Sequence, residues 1–183
     1  MVTNKDPIQW WICTYKIPAE PSRYRVAIWR RLKEVGSIYL QNSICILPDT
    51  LKNEEFLHSI DHEIKSYDGD SFLLKSVFIS KEMEKKIVDR FNAERENEYD
   101  ELINHCQALM DEIEREKRRN NYTFGELDEN EDELKRLFLW FEKIEKRDFF
   151  NSIGLEKAKQ TLSNCKELLQ HFSEQVIRFE EGS

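Results

Sequence analysis

The sequence predicts an α+β protein, with a βαββαβ head over residues 1–80 and a three-helix antiparallel body over residues 81–183. Three observations carry this reading. Before residue 80, short apolar runs alternate with one helical pattern at a time; after it the apolar period is helical throughout. All four prolines, at positions 7, 18, 21 and 48, fall in the first part. The charge divides at the same point, with 10 basic and 10 acidic residues up to position 80 and 18 basic and 26 acidic beyond it, so the net charge of −8 belongs to the second part.

In the head, Ile8 to Tyr15 is apolar on both alternating faces, as a strand covered on each side requires. Pro18 and Pro21 end it. Ser22 is placed to cap a helix running to Val35, and Gly36 stops that helix at the position where a left-handed residue is wanted. Ser37 to Leu47 reads as two short strands meeting near Asn42, closed by Pro48. Asn53 to Tyr67 sets Phe56, Leu57, Ile60 and Ile64 at helical spacing. Asp68-Gly69-Asp70 then turns into a last strand, Ser71 to Ile79. That order is the split βαβ, or ferredoxin-like, pattern with a four-stranded antiparallel sheet.

The body opens with a helix over Lys81 to Arg119, whose Tyr99, Leu102, Cys106, Leu109 and Ile113 form a heptad-like seam. Its 39 residues would span about 58 Å at 1.5 Å per residue, a length that demands partners. Thr123 and Glu126 make a capping box for a second helix with Leu134, Leu137, Phe138, Phe141 and Ile144 on one face. Ser152 is placed to cap a third, in which Leu155, Ala158, Leu162, Cys165, Leu169, Phe172 and Val176 continue the seam. Short connections favour antiparallel neighbours.

Composition excludes several classes of function. A chain of 183 residues with 39% hydrophobic and 35% charged residues can bury a core. At −8 it does not bind a phosphate backbone indiscriminately, so any nucleic-acid contact must be local. No apolar run approaches the roughly 18 to 20 residues of a membrane span, and Met1 to Pro7 lacks the apolar stretch of an export signal. A cytoplasmic protein is expected. Cys13, Cys45, Cys106 and Cys165 each lie in an apolar pattern without a C-x-x-C pair, as reduced core residues do.

Metal and nucleotide motifs fail on inspection. His58 and His62 share a helix face, yet no catalytic Glu lies between them. Asp128, Asn130 and Asp132 begin like a calcium loop, but Glu133 and Leu139 stand where glycine and the bidentate glutamate belong. Glu101 and His105 are four apart rather than the three of a di-iron motif. Five scattered glycines build no phosphate cradle, and no cofactor or metal is implied. What remains is the first helix, where Arg23, Arg25, Arg30, Arg31 and Lys33 face a lone Glu34, a local charge of five minus one, or +4. Tyr24, Ile28, Leu32 and Val35 form its core face, which leaves Val26, Trp29, Arg30 and Lys33 on or beside the other. Trp29 among these cations reads either as an anion or nucleic-acid contact or as arginine stems covering apolar surface. A second group, Arg115, Lys117, Arg118 and Arg119, suits the C-terminal dipole of the long helix.

The segment Trp11 to Thr50 resembles the N-terminal region of the ChrB family of chromate-resistance regulators, through Lys16-Ile17-Pro18, Arg25 with Trp29-Arg30 and Leu32, and Leu40-Gln41. Phe91-Asn92-Ala93-Glu94-Arg95-Glu96 with Tyr99, the segment from Tyr122 to Leu127, Trp140 and Arg147-Asp148-Phe149-Phe150 continue the likeness down the chain. The resemblance implies a nonenzymatic regulator that controls a chromate efflux transporter and binds an operator DNA or the chromate oxyanion. Full-length regulators of that family carry a further C-terminal regulator domain, and the expectation for this chain is that this half is missing, encoded on a separate chain, or unnecessary. More distantly, the head resembles the ferredoxin-like CRISPR-adaptation nucleases and the middle domain of PaaX-type repressors. In those nucleases an aspartate binding metal follows the first strand, and Lys16 stands in its place. The candidate contacts are Lys16, Arg23, Arg25, Trp29, Arg30, Arg31 and Lys33; a degenerate metal-dependent nuclease and a helical adaptor for a protein partner are the alternatives. A homodimer built on the head is expected, because a small open sheet leaves edges to cover.

Overall fold

The computed structural model describes residues 7–181; what the sequence suggests for Met1 to Asp6 lies outside them. The elements are β1 (Trp10–Lys16), α1 (Arg23–Glu34), β2 (Ile38–Gln41), β3 (Ile44–Pro48), α2 (Leu51–Ser66), β4 (Asp70–Ser76), α3 (Lys81–Arg119), α4 (Phe124–Glu145) and α5 (Gly154–Glu181). The protein is thus α+β, with a four-stranded antiparallel sheet and, among the described residues, five helices. Two compact units meet at Phe91 and Asn92, within α3.

In the first unit the strand order is β2-β3-β1-β4. Cys13 stands opposite Cys45 on one side and Leu73 on the other, which sets Trp11, Cys13 and Tyr15 on one face and Trp10, Ile12 and Thr14 on the other. α2 packs on the Trp11 face: His58 meets the Trp11 ring edge-on at 6.3 Å, and Ser71 Oγ donates to Asp61 at 2.6 Å. On the opposite face Trp10 lies between Phe78 and Phe91, with ring centroids 5.7 and 5.8 Å away. The last strand stops at Ser76, three residues before the predicted Ile79, and Ile79 is fully solvated.

The ends of the first two helices follow different rules. Ser22 adopts a helical backbone conformation and makes no side-chain cap, contrary to the expectation from sequence. At the other end Gly36, at φ 90°, closes α1 with its own N–H on Lys33 O and the Ser37 N–H on Leu32 O. This double bond pattern satisfies two carbonyls the helix leaves open. α2 begins at Leu51 rather than Asn53, because Thr50 is the cap and accepts from the Asn53 N–H at 3.1 Å.

In the second unit, residues from Tyr99 onward in α3 share one apolar core with α4 and α5. Thr123 caps α4 by accepting from the Glu126 N–H. Ser152 does not cap α5 with its side chain. Its N–H and Oγ both donate to Asp148, so the carboxylate organises the turn and α5 starts at Gly154. Beside that turn Arg147 is held by Glu98 at 2.7 Å and the buried Arg95 lies 2.9 Å from the same carboxylate. Burial lowers the Arg95 pKa from its usual value, partly offset by the Glu98 charge.

Candidate anion-binding site

Helical spacing builds one wall of the site. Arg25, Trp29 and Lys33 stand at i, i+4 and i+8 on α1, one stripe along the helix. With Tyr15 and Lys16 from the end of β1, Ile17 beyond it, and Tyr39, Gln41, Asn42 and Ser43 from the β2–β3 hairpin, they line a cavity of about 710 Å³. The hairpin is fixed to the first strand by the Tyr15 N–H donating to Ser43 O at 3.0 Å, and Ser43 itself takes a left-handed turn conformation at φ 61°.

The cavity wall carries three cations and no carboxylate, in a chain whose net charge is −8. Arg25 is oriented by donating to Ala19 O at 2.9 Å. Trp29 is 47% exposed, a large apolar surface left beside the three cations. At the floor the Tyr15 and Tyr39 hydroxyls lie 2.8 Å apart. Burial pushes both phenols above the ordinary tyrosine range, and in Tyr39 the hydrogen bond with Tyr15 adds to the rise. Both are therefore neutral O–H groups at neutral pH. Whichever hydroxyl accepts in the pair keeps its own proton for a third group. Chemically, such a wall is suited to an anion, which cations and hydroxyl donors can hold through charge-assisted hydrogen bonds, and it presents aromatic faces beside them.

Of the seven residues singled out from sequence, the structure brings Lys16, Arg25, Trp29 and Lys33 into this cavity and leaves three outside it. Arg23 is exposed and lies over the Tyr24 ring at 5.1 Å. Arg30 is exposed on α1 away from the cavity lining. Arg31 turns to α2, pairing with Glu63, donating to Ser59 Oγ and covering the Phe56 ring. At the end of α3, Arg115, Lys117 and Arg119 pair with Glu112, Glu114 and Glu116 three residues back, a helix-surface arrangement. Tyr15, Tyr39, Gln41, Asn42 and Ser43 were not singled out from sequence. Their one sequence signal is a pair of polar aromatic residues in runs otherwise apolar, and only the strand register joins them.

A family model described as Protein ChrB, N-terminal, matches residues 25–183, so Arg25, Trp29, Arg30, Arg31 and Lys33 fall inside the matched segment and Lys16 and Arg23 before it. No curated protein and no solved structure matches the chain.

Proposed function

Because the chain belongs to the ChrB N-terminal family, and so to proteins related to chromate resistance, we propose that it is a nonenzymatic regulator of that resistance. In this reading it binds DNA or the chromate oxyanion and thereby controls a chromate efflux transporter. The observation that carries the proposal is the cavity walled by Lys16, Arg25 and Lys33 without a carboxylate, an anion site in an otherwise acidic protein. Arg30 and Trp29, exposed on the same helix, extend the contact surface outward. The head is read as ferredoxin-like on its β2-β3-β1-β4 order, and the body as an antiparallel three-helix bundle on the core that α3, α4 and α5 share.

Lys16 argues against a metal-dependent nuclease. A cation at the end of β1 repels the divalent ion that such chemistry needs at that place. The test uses DNA from upstream of a chromate transporter gene, with and without chromate, at two salt concentrations. Binding should weaken steeply with salt as counterions are released, and Arg30→Glu with Lys33→Glu should reduce it at least tenfold while thermal stability stays nearly unchanged. Unaltered binding by that variant, or magnesium- or manganese-dependent cleavage lost on adding chelator, overturns the reading.

The same reading includes a homodimer built on the first unit. It is supported by Phe72 and Leu74, 63% and 50% exposed on the edge strand β4.

A further inference from the structure

We propose that the cavity between α1, the end of β1 and the β2–β3 hairpin takes a nucleoside phosphate, with the phosphate on Lys16, Arg25 and Lys33 and the base against Trp29. The inference rests on the cavity being the anion site of the regulator proposed above, and it names a ligand class larger than an oxyanion.

Size is the first argument. The cavity measures about 710 Å³, inside the range of roughly 300 to 1,000 Å³ that small-molecule sites occupy. A tetrahedral oxyanion has four oxygens; at about 30 Å³ each, the share of a water molecule, it fills on the order of one sixth of that space. The rest of that space leaves room for a group covalently attached to the anion.

The chemistry of the wall describes that attached part. Trp29 and the Tyr15–Tyr39 pair present aromatic surface, and Ile17 adds an aliphatic side. A flat aromatic group stacks on such surfaces in a way that tolerates different bases. Gln41 and Asn42 at the hairpin each carry a carbonyl oxygen and an amide NH₂. Both are exposed to solvent, and an oxyanion, mainly an acceptor, engages their NH₂ groups but makes little use of their carbonyl oxygens. A nucleobase edge supplies donors and acceptors side by side, which matches an amide pair. The phosphate end is met by the three cations and by the hydroxyl proton that the tyrosine pair leaves over.

This chemistry has two sources, a free mononucleotide or one nucleotide of a single strand, and the experiment separates them. The full chain is titrated by calorimetry with inorganic phosphate, ribose 5-phosphate, the four 5′-mononucleotides and a ten-residue oligothymidylate. At least one mononucleotide should bind about fivefold or more tighter than ribose 5-phosphate, the lower end of what stacking one base contributes. Trp29→Leu should abolish that difference while leaving phosphate binding in place, and Lys16→Ala should weaken every phosphate probe. An oligonucleotide that binds tenfold tighter than its mononucleotide, with the same sensitivity to Trp29→Leu, assigns the ligand to a strand; equal or weaker binding assigns it to free nucleotide. Mononucleotides that bind no tighter than ribose 5-phosphate overturn the inference without any variant. If operator DNA or chromate still binds in that case, only the nucleotide inference fails; if those are lost too, the regulator reading fails with it.

Discussion

Leu162 lies in the core shared by α3, α4 and α5 and is 2% exposed. Replacing it with Ala removes buried methyl groups and leaves a cavity, so Leu162→Ala should destabilise the protein by about 2 to 5 kcal/mol in denaturant unfolding. A loss under about 0.5 kcal/mol, the size of a surface change, would mean that the seam is not core. The apolar spacing of Leu155, Leu162 and Leu169 announces this role in the sequence. The cysteines are a different case. Each is recognisable in sequence as a small buried residue, and all four are free and buried. Their pairing, Cys13 across from Cys45 and Cys165 donating to Cys106 O at 3.3 Å, depends on strand register and helix packing. The Cys13 and Cys106 partners together with burial hold the Cys45 and Cys165 thiols well above the ordinary range. The hydrogen bond from Cys165 lowers the Cys106 thiol instead, but all four thiols are buried out of a reagent's reach. The folded protein should therefore show no fast-reacting thiol toward a disulfide reagent, and four on unfolding; one fast thiol in the native state would contradict this.

Among the elements, α5 is packed closely at its first residue, where Gly154 lies against Tyr99. A Cβ at Gly154 would come within 2.9 Å of Tyr99 Cβ and 3.1 Å of its ring. Alanine is the better helix former by about 1 kcal/mol, yet overpacking typically costs about 1 to 3 kcal/mol. Gly154→Ala should therefore lower the melting temperature, and a rise would show that Tyr99 gives way at no cost. The α2–β4 contact carries a pH prediction. Asp61 accepts from Lys65 Nζ at 2.7 Å and from Ser71 Oγ at 2.6 Å, and these bonds, Lys65 first, hold its carboxyl below the usual range. A depressed folded value stabilises the protein fully above the unfolded pKa of about 3.9, and that stabilisation is lost as pH falls through the folded value. Asp61→Asn should be less stable than wild type at pH 6, by a small amount given solvent screening. The two should converge as pH falls through the lowered folded value; a gap that persists once the carboxyl is protonated would assign the effect to packing instead. The site belongs to this scale as well. The stripe of Arg25, Trp29 and Lys33 is legible because helical geometry places i, i+4 and i+8 together whatever lies nearby, whereas the diversion of Arg31 to Glu63 depends on where α2 packs.

For the whole molecule, the edge strand β4 exposes Phe72 and Leu74 to solvent, and among the described residues no helix is long and apolar enough to cross a membrane. A soluble mass measurement at tens of micromolar should return a dimer, and Phe72→Glu with Leu74→Lys should convert it to a monomer without unfolding; a wild-type monomer would contradict the assembly. The order of the elements, the long helix Lys81–Arg119 and the apolar seams of α4 and α5 were determined by the sequence alone, because periodicity and helix-breaking residues act over a few neighbours. The failed caps at Ser22 and Ser152 mark the limit of that local reading, since in the second case Asp148 took the hydrogen bonds. Tertiary structure alone decided that β1 lies between β3 and β4, that Tyr15 meets Tyr39, and that the hairpin from Gln41 to Ser43 closes a cavity over the α1 stripe. Those outcomes rest on pairings between distant segments, and a one-residue change of register, which composition and spacing do not forbid, would have turned each of those side chains to the other face.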